Sequence, residues 1–193
     1  VASDHLGIGV TMGQVDYTLR RLYNNRSNRG LLVVHDLSDA QKKVVECNYL
    51  AEEFFGDLLV WMSQQQPDSR PSDQSSNSVR VRKPGIVANK LSPAMSTLAG
   101  AIASAAENVK EASDKQNLIS GADRLTALST EIDNWRLQTL EGGVYWIETS
   151  SNRSGKQSVS LNAAPIDVGP AIRENLFDKV DTVVMASATI AVG

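Results

Sequence analysis

The stretch "SPAMSTLAGAIASAAENVKEASDKQNLISGADRLTALSTEIDNWRLQTL", residues 92–140, decides the fold class. Met95, Leu98, Ile102, Ala105 and Val109 recur at intervals of three and four, the spacing that lines one face of an α-helix. Ser92-Pro93 reads as the start of that helix, with Ser as N-cap and Pro in the first turn, where a missing N–H breaks no bond. After Asp114 the pattern resumes at Leu118, Ala122, Leu125, Leu128, Ile132, Trp135 and Leu140. Two such helices joined by a short connection predict an antiparallel pair. The Ala, Gly and Ser content of the first permits close approach, and is equally compatible with a solvent-exposed coiled coil.

Toward the N-terminus the helical grammar continues. Thr11 is placed to cap a helix carrying Val15, Leu19 and Leu22 on one face, followed by a turn region over residues 24–30. Ser38 and Gln41 have capping-box spacing, and Val44, Cys47, Ala51, Phe54, Phe55, Leu58 and Met62 then form a wide apolar stripe. The spacing predicts a helix to about Gln66, roughly 40 Å long. "QQQPDSRPSDQSSNS", residues 64–78, is too polar and proline-rich to bury much surface and reads as a mobile loop. Val79-Arg80-Val81-Arg82 alternates at period two, as a short edge strand with its arginines toward water.

Toward the C-terminus the grammar changes at Gly142-Gly143. Residues 144–148 and 157–161 read as two strands of a hairpin, with Trp146 expected in the core like Trp135. Residues 171–177 read as a short helix, and residues 180–186 as an apolar strand of the kind buried on both faces of a parallel sheet. The fold class expected is mainly α. It comprises an antiparallel helical bundle over residues 1–142, a small hairpin region, and an incomplete α/β segment over residues 143–193.

Bulk properties narrow the function classes. The chain has 193 residues, with hydrophobic and charged shares of 41% and 21%, so it can build one substantial core. No apolar run approaches the roughly 18–20 residues of a membrane span. The first five residues lack the pattern of a signal peptide and there is no initiator Met, so a piece of a longer cytoplasmic protein is expected. A single cysteine, Cys47, excludes an internal disulfide, and His5 and His35 alone do not suggest a metal cluster. The net charge is -3, yet residues 16–29 carry +3 and residues 70–90 carry +4.

Two segments carry a family resemblance. "VYWIE" followed by "VSLNAAPIDVGPAIRENLFDKVDTVVMASATI" resembles the approach to helicase motif III in the DinG/XPD-like branch of superfamily 2 DNA helicases. The motif itself is Ser187-Ala188-Thr189, preceded by the Pro/Gly/Phe pattern of residues 165–177. The opening "VASDHLGIGVTMGQVDYTLRRL" is similar to the stretch after the acidic DEAH box in the same family. Between those motifs the family carries an insertion, the Arch domain, in its first RecA-like motor domain.

The resemblance implies an Arch region of an ATP-dependent helicase that moves 5′ to 3′ on single-stranded DNA and acts in DNA repair or replication-linked processing. ATP and Mg would be bound by the rest of the motor. Neither a Gly-x-x-x-x-Gly-Lys-Ser/Thr loop nor an Asp-Glu-x-His box occurs in this sequence, so the segment alone is expected to be inactive. Ser187, Ala188 and Thr189 would couple nucleotide state to the DNA-holding surfaces. An iron-sulfur cluster, where the family has one, lies in a different insertion. Arg20, Arg21, Arg26, Arg29, Arg80, Arg82 and Lys83 are candidates to track phosphates of a single strand, and Trp61 to stack a base. The same arginines also suit a solvated helix face and a protected edge strand. The competing reading is a non-enzymatic interaction module that dimerises through the helix pair of residues 92–140. The exposed C-terminal strand would offer a further route to oligomers. Ser187 as a hydrolase nucleophile is disfavoured, since no Gly-x-Ser-x-Gly elbow surrounds it.

Overall fold

The computed structural model describes residues 7–65, 77–151, 157–167, 169, 173, 177–180 and 182 of the chain. Strand β1 (Ile8–Thr11) leads into helix α1 (Met12–Leu22), followed by α2 (Leu31–Val34) and α3 (Ser38–Gln65). Strand β2 (Asn77–Val81), helices α4 (Leu91–Ala106) and α5 (Ala112–Leu137), and strands β3 (Gly143–Ser151) and β4 (Gln157–Pro165) complete the described order. Among the described residues the protein is thus mainly helical, with one small antiparallel sheet.

The predicted pair, α4 and α5, forms and makes the most extensive helix contact. Met95, Leu98 and Ile102 of α4 and Leu118, Leu125 and Ile132 of α5 are all fully buried. Small residues bring the two backbones together at one end. The Ser92 hydroxyl donates to the Ser129 carbonyl at 3.0 Å, and the Ser129 hydroxyl donates to the Ser92 carbonyl at 2.9 Å. Ser96 and Ser129 hydroxyls lie 2.8 Å apart. Helix α3 packs on α4 and α1 on α3, while α5 lies against β1 and β4. The apolar stripes of the pair are therefore occupied inside one core, and a solvent-exposed coiled coil is not the arrangement adopted.

The sheet has the order β1-β4-β3-β2, with every neighbouring pair antiparallel. Period-two alternation puts Val10, Leu161, Ile147 and Val79 in register across all four strands, and Ile8, Ala163, Tyr145 and Val81 in a second row. These rows belong to the core or pack against it. Trp135 of α5 is 1% exposed and donates its indole N–H to the Asn162 carbonyl at 2.9 Å, tying helix to sheet. Gln138, in a left-handed conformation just past α5, donates to the Val81 carbonyl at 3.2 Å. Strands on both sides of residue 142 share this sheet.

Several local expectations change. The capping box is at Thr11 and Gln14, where each side chain bonds the other's backbone N–H. Ser38 instead lies within α3, and the Gln41 side chain donates to the Leu32 carbonyl at 3.1 Å. The intervening turn α2, too short for periodicity to mark, supplies that carbonyl. It comes directly after Gly30, whose φ of 142° and whose close approach to the Leu22 carbonyl leave no room for a side chain. Ser92 does not cap α4, because it is drawn into the contact with Ser129. Asn89 takes that place, its side-chain oxygen accepting from the Ser92 N–H at 3.1 Å. Trp146 is not in the core. Its register places it on the sheet face opposite Tyr145 and Ile147, half-buried, with its indole N–H donating to Glu148 at 2.8 Å. The expected helix at residues 171–177 and strand at residues 180–186 fall largely outside the described residues, as does most of the loop at residues 64–78.

The serine contact fixes how close α4 and α5 come. Ser129→Ala removes one buried donor and is expected to cost about 1 kcal/mol, whereas Ser129→Leu forces the helices apart at a cost of about 1–3 kcal/mol. Chemical denaturation of the two variants beside the unsubstituted protein measures the difference.

Candidate nucleic-acid interface

The basic residues of residues 16–29 come from the last turn of α1 and the adjoining turn, a position set by the Thr11 cap and by the bend at Gly30. Arg20, Arg21, Arg26 and Arg29 are all exposed. They do not form a single patch. Arg20 pairs with Asp16 one turn back at 2.8 Å, and shares a hollow with Arg26, Tyr23, Asn24, Asn25 and Glu52. Arg21 points to the other side of α1, where it lines a separate cleft with Arg124 of α5. Asn24 and Arg29 close the turn as an isolated β-bridge, and the Asn24 side chain accepts from the N–H groups of Arg26 and Ser27 at 3.1 and 3.3 Å.

The second basic group sits elsewhere. Arg80 is an exposed residue of β2, one edge of the sheet, while α1 leaves from β1 at the other edge. Arg80 and Arg82 line a shallow depression with Gln138, Val144 and Tyr145. Lys83 comes next, exposed. The sequence-predicted cations therefore occupy two distinct surfaces, one at the end of α1 and the turn after it, the other at the β2 edge of the sheet. The register sets Trp146 beside Arg80 on the half-buried face. Trp61 is half-buried and packs against the core from α3, so its ring is a partial surface rather than a free stacking platform. Ser187, Ala188 and Thr189 lie outside the described residues.

Arg124 belongs to neither basic cluster of the sequence. It meets Thr18 across a long separation in the chain, its Nε donating to the Thr18 hydroxyl at 3.2 Å. Sequence periodicity marks Arg124 only as a solvent-facing position on α5, and carries no signal of which helix lies opposite. No group of three or more His, Cys, Asp or Glu side chains that could hold a metal ion occurs among the described residues. Nor is any described helix long and apolar enough to cross a membrane. No protein-family model matches this chain, and no curated protein does either.

Two titratable groups in the helical body are shifted by burial. Cys47 is 0% exposed on the inner face of α3, and burial, reinforced by the neighbouring Glu46 carboxylate, pushes its thiol up to about 12. The thiolate needed for nucleophilic chemistry is then essentially unpopulated at neutral pH. Native protein at pH 8 is expected to leave Cys47 unmodified by a chromogenic disulfide reagent, with full reaction once denaturant is added. Fast labelling of the folded chain would contradict this packing.

Glu131 on α5 is raised above the ordinary carboxyl range, also by burial. A raised folded-state value means the charged form is the disfavoured one. The associated stability is present below the unfolded value of about 4.3 and lost as pH rises through the folded value. Glu131→Gln is therefore expected to raise the melting temperature at pH 7 and to give no gain below about pH 4. Thermal melts at the two pH values check the sign.

Proposed function

We propose that this chain is the Arch region of a DinG/XPD-like superfamily 2 DNA helicase, forming a wall beside the path of single-stranded DNA. The observation that carries the reading is the pairing of β1 with β4. Ile8 lies opposite Ala163 and Thr11 opposite Ser160, so the chain enters the helical body and leaves it through two hydrogen-bonded neighbours. An insertion within a parent domain needs its two ends close together, and this sheet supplies that. The motif resemblance at both ends of the sequence supports the same reading.

On this reading the region does no chemistry. ATP and Mg would be bound by the remainder of the motor, and Ser187, Ala188 and Thr189 would relay nucleotide state toward the strand. The exposed arginines at the end of α1 and along β2 would contact phosphates without reading bases, since guanidinium groups neutralise backbone charge whatever the sequence. The local acids Asp16 and Glu52 temper the first group, which suits a strand that must slide rather than lock.

The test is made in the intact helicase. Replacing Arg20, Arg26 and Arg29 together by Gln, and separately Arg80, Arg82 and Lys83, is expected to weaken single-strand affinity. The salt dependence of binding should become shallower by about 0.7 in slope for each phosphate that the protein no longer neutralises. DNA-independent ATP hydrolysis should stay unchanged. Unaltered single-strand affinity and unaltered unwinding in both triple variants would remove the proposed role.

A further inference from the structure

A cleft of about 420 Å³ lies between α1 and α5, lined by Tyr17, Thr18, Arg21, Leu22, Asn117 and Arg124 among others. We infer that it is a binding site for an organic phosphomonoester. The volume falls within the roughly 300–1,000 Å³ of small-ligand sites. Leu22 and Leu31 give the lining apolar surface, and α5 contributes Asn117 and Ser120 to it. Helices α1 and α5 approach closely there, because Gly121 has no side chain to meet Leu22: a Cβ would stand 3.0 Å from a Leu22 methyl.

The charge of the lining sets the ligand class. It holds two guanidinium groups and no carboxylate. Neither Arg21 nor Arg124 has an ion-pair partner among the described residues, in contrast to Arg20, which is held by Asp16. Two positive charges with no internal counterion are matched by a dianion. A phosphomonoester carries about 1.5 to 2 negative charges at pH 7, whereas a carboxylate or an internal phosphodiester carries one. Guanidinium forks also fit tetrahedral oxyanions through paired N–H donors.

Arg124 is oriented before any ligand arrives. Thr18 is 4% exposed, its hydroxyl donates to the Gln14 carbonyl at 2.8 Å, and it accepts from Arg124 Nε at 3.2 Å. With Nε committed, the terminal Nη groups of Arg124 remain for the ligand. Thr18 is thus a positioning residue that acts through Arg124. The site shares Arg21 with the basic segment at the end of α1, whereas Arg124 lies outside both basic segments on which the strand-path reading draws.

One chemistry has two sources here, a free mononucleotide or sugar phosphate and the 5′-phosphorylated end of an oligonucleotide. Isothermal titration of the 193-residue chain would use adenosine 5′-monophosphate, inorganic phosphate, adenosine, and a tetranucleotide with either a 5′-phosphate or a 5′-hydroxyl. The expected result is saturable one-to-one binding of phosphate-bearing probes and none of adenosine. Binding of the monophosphate points to a free ligand, and binding confined to the phosphorylated tetranucleotide points to a strand end. Arg124→Gln and Arg21→Gln should each weaken binding about tenfold or more, in keeping with the loss of a charge-assisted hydrogen bond. Thr18→Val should weaken it about threefold while Arg124→Lys retains part of the affinity, which separates orientation from charge. Arg21 is exposed and outside the core, so its variant stays folded even if others do not. Lack of saturable binding by every phosphate-bearing probe, or equal binding by Arg21→Gln and the unsubstituted chain, would overturn the inference.

Discussion

The reciprocal hydrogen bonds between Ser92 and Ser129 are the constraint on which the rest of the structure hangs. Each hydroxyl donates to the other residue's backbone carbonyl, so two helices meet at backbone distance with their polar groups satisfied. From this close contact Met95, Leu98 and Ile102 run on, fully buried, along the interface with α5. Asn89 extends the network, donating to Ser92 Oγ and to Asp133, each at 2.8 Å, so the entry to α4 is fixed to the same helix that anchors the sheet through Trp135. A larger residue at either serine would move the helix that carries both the sheet and one wall of the anion cleft.

Much of this was legible because helices are local. The stripes on α1, α3, α4 and α5 follow from spacing at three and four, and each predicted stripe is buried for most of its length. What could not be read was partner identity. Ser92 has the right neighbours for an N-cap, and only the tertiary contact with Ser129 shows that its hydroxyl is needed elsewhere. Trp146 alternates with Tyr145 and Ile147, and period-two spacing gives two faces without saying which one meets the helices. Two strands of a hairpin and an edge strand at residues 79–82 were visible, but not that this edge strand pairs with the hairpin or that β1 forms the other edge, because strand pairing joins segments that are distant along the chain.

The candidate surfaces show the same division. Of the two arginine clusters in the sequence, the fold divides the first between two sides of α1 and places the second at the β2 edge of the sheet. Arg20 and Arg21 are consecutive, yet neighbours on a helix point about 100° apart, and one is neutralised by Asp16 while the other faces Arg124. Charge density along a chain is therefore a poor guide to field in space. The convergence of Arg21 and Arg124 depends on the packing of α1 against α5, for which Gly121 makes room.

The pairing of Ile8 with Ala163 has a bearing on assembly order. The loop it closes contains α1 to α5, all five of the described helices, and closing so long a loop is entropically repaid only after the intervening chain has condensed. The contacts between α4 and α5 and between α3 and α4 are short-range by comparison and are expected to form first. During synthesis β1 waits at its edge for a strand made long after it, so a helical body that is self-supporting before the sheet zips shut protects that edge from the wrong partner.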